Sequence, residues 1–243
     1  MSAVIIPARY GSTRFPGKVL ALIGGEPMIC RVAKRCLETK ADKVIVVTDD
    51  NRVYDICEKI NGLTVLMSPS NLATGTDRVA YAAKTVEDDI IVNVQGDEPF
   101  ISPKLINSLI DTLNSDTSLK MATACTPFND DISFNEPSNV KVVLNQLGFA
   151  IYFSRLPIPF NRDNIEGINR YKHIGIYGFR RDFLFKFAST ERTLLEKSEN
   201  LEQLRAIENG TPIKVIITDY NPISIDLPSD IEAAYSRLKE ESL

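Results

Sequence analysis

No stretch of this 243-residue sequence approaches the roughly 18 apolar residues of a membrane-spanning helix, and Val4-Ile5-Ile6 is too short for the core of a secretory signal. Export and membrane insertion are not expected; a soluble cytoplasmic protein is. Charge of one sign is also lacking. With 28 Lys and Arg against 32 Asp and Glu, the formal net charge of −4 draws the surface as a whole toward neither nucleic acid nor an anionic membrane. Any anion binding must be local. The cysteines Cys30, Cys36, Cys57 and Cys125 form no CxxC pair and lie in apolar contexts, which suits reduced core thiols better than zinc ligands or disulfides. Internal repeats, low-complexity tracts and composition breaks are missing too, so residues 1–243 read as a single domain able to bury a full α/β core. Two nucleotide signatures are absent. No GxGxxG follows the first strand, against a Rossmann dehydrogenase. The spacing from Gly11 to Gly17 is one residue too long for a P-loop, and Val19 stands where Ser or Thr would hold magnesium.

What is present is an apolar strand, Val4-Ile5-Ile6, that breaks at Pro7 into Ala8-Arg9-Tyr10-Gly11-Ser12-Thr13-Arg14-Phe15-Pro16-Gly17-Lys18. A triphosphate carries several negative charges and needs fixed cations and backbone N–H groups that can come close. Arg9, Arg14 and Lys18 supply the charge, Gly11 permits the approach and Ser12 adds a hydroxyl. A basic surface turn would explain the cations alone, but not so many polar residues directly after a buried strand.

Further apolar strands at 44–47, 63–67 and 90–94 alternate with helices at 28–39 and 53–60 and one opened by residues 71–78 and running through 84, the pattern of a parallel sheet whose ligands gather at the carboxyl ends of its strands. Thr74, Gly75, Thr76 and Arg78 open one of these helices and suit hydrogen bonding to a base or ribose, with an N-cap by Thr76 or Asp77 explaining part of the pattern. The strand at 90–94 runs into Gln95-Gly96-Asp97, where a carboxylate could hold a hard cation such as magnesium against phosphate oxygens. Downstream, we expect a helix at 102–113, a strand at 120–126, a polar loop at 129–139, a hairpin of 140–144 with 149–154, and a strand at 173–179. Leu156-Pro157-Ile158-Pro159-Phe160 cannot lie in a sheet centre and reads as an exposed apolar dimer contact. A single helix is expected over 194–209, placing Glu199, Glu202 and Gln203 on one face, for which solvated charge is the default reading. A last strand at 213–218 and a closing helix at 231–238, preceded by Asp226, complete the chain.

Five blocks, PARYGSTRFPGK at 7–18, NVQGDEPF at 93–100, VKVVLNQLGFAIYFSR at 140–155, YKHIGIYGFR at 171–180 and LEQLRAIENG at 201–210, together resemble the bacterial 3-deoxy-manno-octulosonate (Kdo) cytidylyltransferases. The resemblance is collinear over nearly the whole chain. It implies a three-layer, Rossmann-like α/β nucleotidyltransferase fold with a mostly parallel mixed central sheet and a small dimerisation subdomain, residues 128–180 contributing the sugar side. It also implies transfer of CMP from CTP to the anomeric hydroxyl of Kdo, an eight-carbon 3-deoxy acid sugar, with Mg2+, in a homodimer serving lipopolysaccharide synthesis. Carried over residue by residue, Arg9, Lys18, Asp97 and Asp226 become catalytic, the two aspartates as metal ligands. Pro7, Ala8, Arg9, Gly11, Ser12, Arg14, Lys18, Thr74, Gly75, Thr76 and Arg78 bind nucleotide. Gln95, His173, Tyr177, Glu199, Glu202 and Gln203 bind the sugar. His173 is expected to hydrogen-bond substrate rather than act as a base, a satisfied structural histidine being the alternative. The chain departs from the family pattern at Val19, at Thr74 and at Leu227-Pro228-Ser229, which leaves Asp226 in place. The rival readings are the same reaction on 8-amino-Kdo or an acylneuraminate, and a catalytically silent nucleotide-binding module.

Overall fold

The first strand, β1 (Ser2–Ala8), is buried at all seven positions, as a continuous run of Val, Ile and Ala should be when helices cover both faces of a parallel sheet. The computed structural model describes residues 1–12 and 15–241, so Arg14 lies outside the described residues. After β1 come a 3₁₀ turn at Lys18–Leu20, then β2 (Leu22–Ile23), β3 (Glu26–Pro27), α1 (Met28–Leu37), β4 (Lys43–Thr48), α2 (Asn51–Cys57), β5 (Leu63–Met67), α3 (Gly75–Ala83), β6 (Ile90–Asn93) and α4 (Pro103–Ser115). The chain continues through β7 (Met121–Pro127), α5 (Asp131–Asn135), β8 (Lys141–Leu144), β9 (Ala150–Ser154), β10 (Tyr171–Arg180), α6 (Arg181–Ser189), α7 (Leu194–Glu199), α8 (Leu204–Glu208), β11 (Ile213–Ile217) and α9 (Asp230–Glu241). It divides into two units, residues 1–110 with the chain from Pro222 onward, and Asp111–Asn221.

In the first unit β6, β1, β4 and β5 lie side by side, all parallel. The strand does not break at Pro7 as expected: Pro7 pairs with Val47 and Ala8 with Thr48. The ladder to β6 covers only Ser2 to Ile5, so the proline's missing N–H falls where β1 keeps a neighbour on one side. β2 and β3 form a miniature hairpin whose turn, Gly24-Gly25, has φ of +61° and +81°, a geometry glycine adopts without a Cβ clash. Ile225, returning from the second unit, is fully buried in an apolar cluster with Ile23, Met28, Phe100 and Ala234. Burial of a side chain of that size contributes about 1.5–3 kcal/mol, enough to hold the return segment beside the 95–100 loop.

The second unit is mixed. β11 is parallel to β7, while β10 pairs antiparallel with β7 and with β8, and β8 with β9. The polar segment 129–139 contains the short helix α5, because Asp130 accepts the Ser133 N–H and caps it. The expected single helix over 194–209 is two helices. Glu196 accepts the Thr193 N–H at 3.4 Å at the start of α7, and Asn200 in the left-handed region (φ +52°) ends it, so Glu199, Glu202 and Gln203 do not share one helix face. Leu156 and Phe160 are 69% and 86% exposed, with the three residues between them half-buried. All four cysteines are free and buried. No helix among the described residues is long and apolar enough to cross a membrane.

Candidate active site

The residues expected to bind nucleotide gather where the strands of the first unit finish. Beyond Ala8, Arg9 is exposed, and the loop closes through Gly17 N–H donating to the Tyr10 carbonyl at 3.1 Å. Lys18 follows, its Nζ 2.5 Å from Asp97 Oδ2 and 2.9 Å from Asp226 Oδ1. Burial alone would lower the pKa of this ammonium, but the two carboxylates outweigh it and hold the pKa above the ordinary lysine value. Two aspartates 129 positions apart (226 − 97) therefore meet at one cation. The backbone explains how. Ile225, pinned in its apolar cluster, donates its N–H to the Asp97 carbonyl at 3.0 Å. Asp230 Oδ2 then accepts the N–H groups of Asp226 and Leu227, each at 2.8 Å, and fixes the turn that carries Asp226. That arrangement does not depend on the side chains of Leu227 or Ser229, where the sequence departs from the family pattern. Gly96 completes the close approach, since a Cβ there would stand 3.0 Å from the Pro7 carbonyl oxygen.

The donor set suits a hard cation. Two carboxylate oxygens already converge on one positive nitrogen, and among the described residues no group of three or more His, Cys, Asp or Glu could hold a metal. A magnesium ion usually takes one or two carboxylates and completes its octahedron with water and substrate phosphates.

Thr74 caps α3, accepting from Asp77 N–H at 3.1 Å while Asp77 accepts from Thr74 N–H at 3.0 Å. The cap is thus Thr74 rather than Thr76 or Asp77, and Thr76 is buried in the first turn. Arg78 is turned inward and 2% exposed; its guanidinium pairs with Asp49 Oδ2 at 3.1 Å and hydrogen-bonds Ser68 Oγ. Gln95, which the resemblance assigns to the sugar, lies in the first unit: its Nε2 donates to Asn93 Oδ1 at 3.2 Å, and its Oε1 lies 3.7 Å from where a Cβ on Gly75 would be. Ser12 Oγ accepts from Phe15 N–H at 3.4 Å, and Gly11 is exposed.

The remaining candidates lie in the second unit. A bulge in β10, where the register to β7 shifts between Ile174 and Tyr177, lets Thr123 Oγ1 reach the Ile176 carbonyl at 2.7 Å and His173 Nε2 at 2.9 Å. A hydroxyl has one proton. Given to Ile176, it leaves Thr123 to accept from His173 Nε2–H, so the imidazole presents Nδ1 as its acceptor. Burial pushes the His173 pKa down to about 3 and keeps the ring neutral. Tyr177, whose ring centroid is 5.6 Å from that of His173, donates its hydroxyl to Gln203 Oε1 at 3.0 Å; burial, then the charge of Glu202, raises its pKa. Gln203 Nε2 is buried with no hydrogen-bond partner among the described residues. Such a donor costs about 1–3 kcal/mol unless an acceptor reaches it. Glu199 is engaged by Ser154 Oγ at 2.7 Å and Arg155 N–H at 2.9 Å, which tie α7 to the end of β9. Glu202 is half-buried beside Gln203.

Sequence reasoning missed Asp49, Asp230 and Ile225. Asp49 had a signal, its place at the carboxyl end of a parallel strand; the other two act through backbone contacts that no motif displays.

A basic loop after the first parallel strand and a carboxylate pair meeting its lysine define a nucleotidyltransferase-type site on a mixed α/β fold. Residues 3–216 match the cytidylyltransferase family model. Among curated relatives, the 3-deoxy-manno-octulosonate cytidylyltransferase of Trichlorobacter lovleyi is 43% identical, covering 97% of this chain and 98% of its own. That of Fusobacterium nucleatum is 44% identical, with coverages of 98% and 97%. The solved structure of a CMP:2-keto-3-deoxy-manno-octonic acid synthetase complexed with CTP is similar at 38% identity and a TM-score of 0.93 over 99% of each chain. A 4-diphosphocytidyl-2C-methyl-D-erythritol synthase of Anaerococcus prevotii, 19% identical with a TM-score of 0.66 over 98% of each chain, shares the fold. The chain belongs to the family of 3-deoxy-manno-octulosonate cytidylyltransferases.

Proposed function

We propose that the chain transfers the cytidylyl group of CTP to the anomeric hydroxyl of Kdo, giving CMP-Kdo and pyrophosphate. The observation that carries this reading is the meeting of Asp97 and Asp226 on Lys18 at the foot of the basic loop, in a chain whose relatives bear that activity's name. The hydroxyl oxygen bonds to the α-phosphorus as the bond to the bridging oxygen of the β-phosphate breaks in line; that bond's electron pair leaves with pyrophosphate, and the hydroxyl's proton passes to solvent water. Catalysis is then mainly positioning and charge neutralisation. Arg9 and Lys18 provide fixed positive charge for the departing phosphates, and the raised pKa of Lys18 keeps it cationic at neutral pH. Asp97 and Asp226 would hold Mg2+, which when bound supplies neutralisation of phosphate charge and a lower pKa for the attacking hydroxyl. His173 is no proton acceptor at neutral pH and offers Nδ1 to a sugar hydroxyl. Gln203 Nε2 offers a donor to the sugar's carboxylate or a hydroxyl. The exposed ends of the 156–160 strip support a homodimer contact, and four reduced thiols suit the cytoplasm, where Kdo would be activated for lipopolysaccharide.

Pyrophosphate release with CTP and Mg2+, offered Kdo, 8-amino-Kdo and an acylneuraminate in parallel, tests the reading. Kdo-dependent release with CMP-Kdo as product is expected. Preference for either other sugar, or bound CTP without product, would overturn it; a monomeric mass in solution would overturn the dimer.

A further inference from the structure

We propose that the turn after β4, Asp49 to Arg52, presets the phosphate loop, with Asp49 and Arg52 as positioning residues that act through Tyr10. This rests on the nucleotide reading of the loop given above. Tyr10 stands directly after Arg9 and is held from several sides. Its N–H donates to Asp49 Oδ1 at 3.3 Å, its carbonyl accepts from Gly17 N–H at 3.1 Å, and the Arg52 guanidinium carbon lies 3.5 Å from the centroid of its ring. The ring also packs on Gly17, where φ is +69° and a Cβ would stand 2.9 Å from the ring edge.

The groups that hold Tyr10 are themselves fixed to rigid elements. Arg52 is forked onto Asp50, with Nε 2.9 Å and Nη2 2.7 Å from its two oxygens, and Asp50 caps α2 through the Arg52 N–H at 2.9 Å. The second oxygen of Asp49 pairs at 3.1 Å with Arg78, which α3 buries. One turn at the carboxyl end of β4 thus ties the loop to α2 and α3. Arg9 lies between the end of β1 and a pinned Tyr10, and Lys18 follows a Gly17 packed on the same ring. Both cations are therefore delivered by backbone anchored at Tyr10, by side chains that need not touch the nucleotide themselves. Holding Arg9 and Lys18 at these anchored positions spares the entropy of placing them on binding, an effect read in CTP affinity.

Arg52 is the handle for a test, because 59% of its side chain is exposed and its removal opens no core. Full-length wild type, Arg52→Ala and Arg52→Lys are compared by CTP calorimetry in Mg2+ and by steady-state kinetics with Kdo. We expect R52A to weaken CTP binding and raise its KM about three- to fivefold, with kcat and the KM for Kdo unchanged, and R52K to recover most of the loss because an ammonium can still sit over the ring. Unchanged CTP affinity in R52A, or a fall in kcat together with a rise in both KM values, would overturn the proposal. If wild type binds CTP but makes no CMP-Kdo, the activity reading fails while the calorimetric comparison still decides the anchor.

Discussion

Lys18, Asp97 and Asp226 keep 15%, 25% and 42% of their side chains exposed, whereas His173 and Gln203 are only 8% and 2% exposed. The nucleotide end is built from formal charges at strand ends and loops, where partial hydration keeps the desolvation cost low and opposite charges compensate one another. In the second unit, His173 and Gln203 are buried and carry no formal charge. Burial keeps His173 uncharged and Tyr177 a phenol, so on the proposed reading discrimination there would fall to hydrogen bonds whose loss leaves buried groups unpaired. Substitutions at the first end should therefore change catalysis steeply and stability little; those at the second should change sugar recognition, and for His173 the acid stability of the fold.

The largest effect is expected for Asp97→Asn, which keeps the shape but removes the charge: turnover should fall about 10²–10³-fold with an unchanged circular dichroism spectrum. Near-normal pyrophosphate release would break the comparison at its charged end. Lys18→Ala should come next, raising the KM for CTP about tenfold or more while the KM for Kdo moves little. Movement of the Kdo value alone would place the loop at the wrong substrate. Gln203→Leu should raise the KM for Kdo about tenfold with the CTP value unchanged, since a hydrogen bond from a buried donor is worth about 1–1.5 kcal/mol; an equal rise for CTP would dissolve the division of roles. The last effect is on stability rather than on activity. Below the ordinary histidine pKa of 6.5 the unfolded chain takes up a proton that folded His173 refuses until about pH 3, so its contribution is intact above 6.5 and is lost as pH falls through that window. Urea unfolding at pH 7 and pH 4.5 should show His173→Gln losing less stability than wild type over this interval, by up to about 3 kcal/mol. Equal losses would show that His173 is not buried neutral.

The same contrast separates what could be read from the sequence from what could not. The parallel strands of the first unit are unbroken β-branched runs, and the loop and Gln95-Gly96-Asp97 are contiguous, so the charged end was legible from local pattern. Its closing member was legible only through resemblance, because Asp226 owes its place to Ile225 docking in a cluster assembled from four segments. In the second unit, the helix break at Asn200 depends on a left-handed backbone conformation that the apolar spacing of Leu194 to Ile207 conceals. The bulge in β10 and the environment of His173 depend on Thr123, fifty residues earlier in the chain. Arg78 shows a further limit: its side chain is buried and pairs with Asp49, a choice no motif records.

The central claim is that Asp97 and Asp226 serve one cation site. A double-mutant cycle of Asp97→Asn and Asp226→Asn, read as kcat/KM for CTP in Mg2+ at saturating Kdo, tests it most directly. If the two carboxylates act as a unit, the double variant should be about as impaired as either single one. Losses that multiply, the double variant falling by the product of the two single effects, would contradict it.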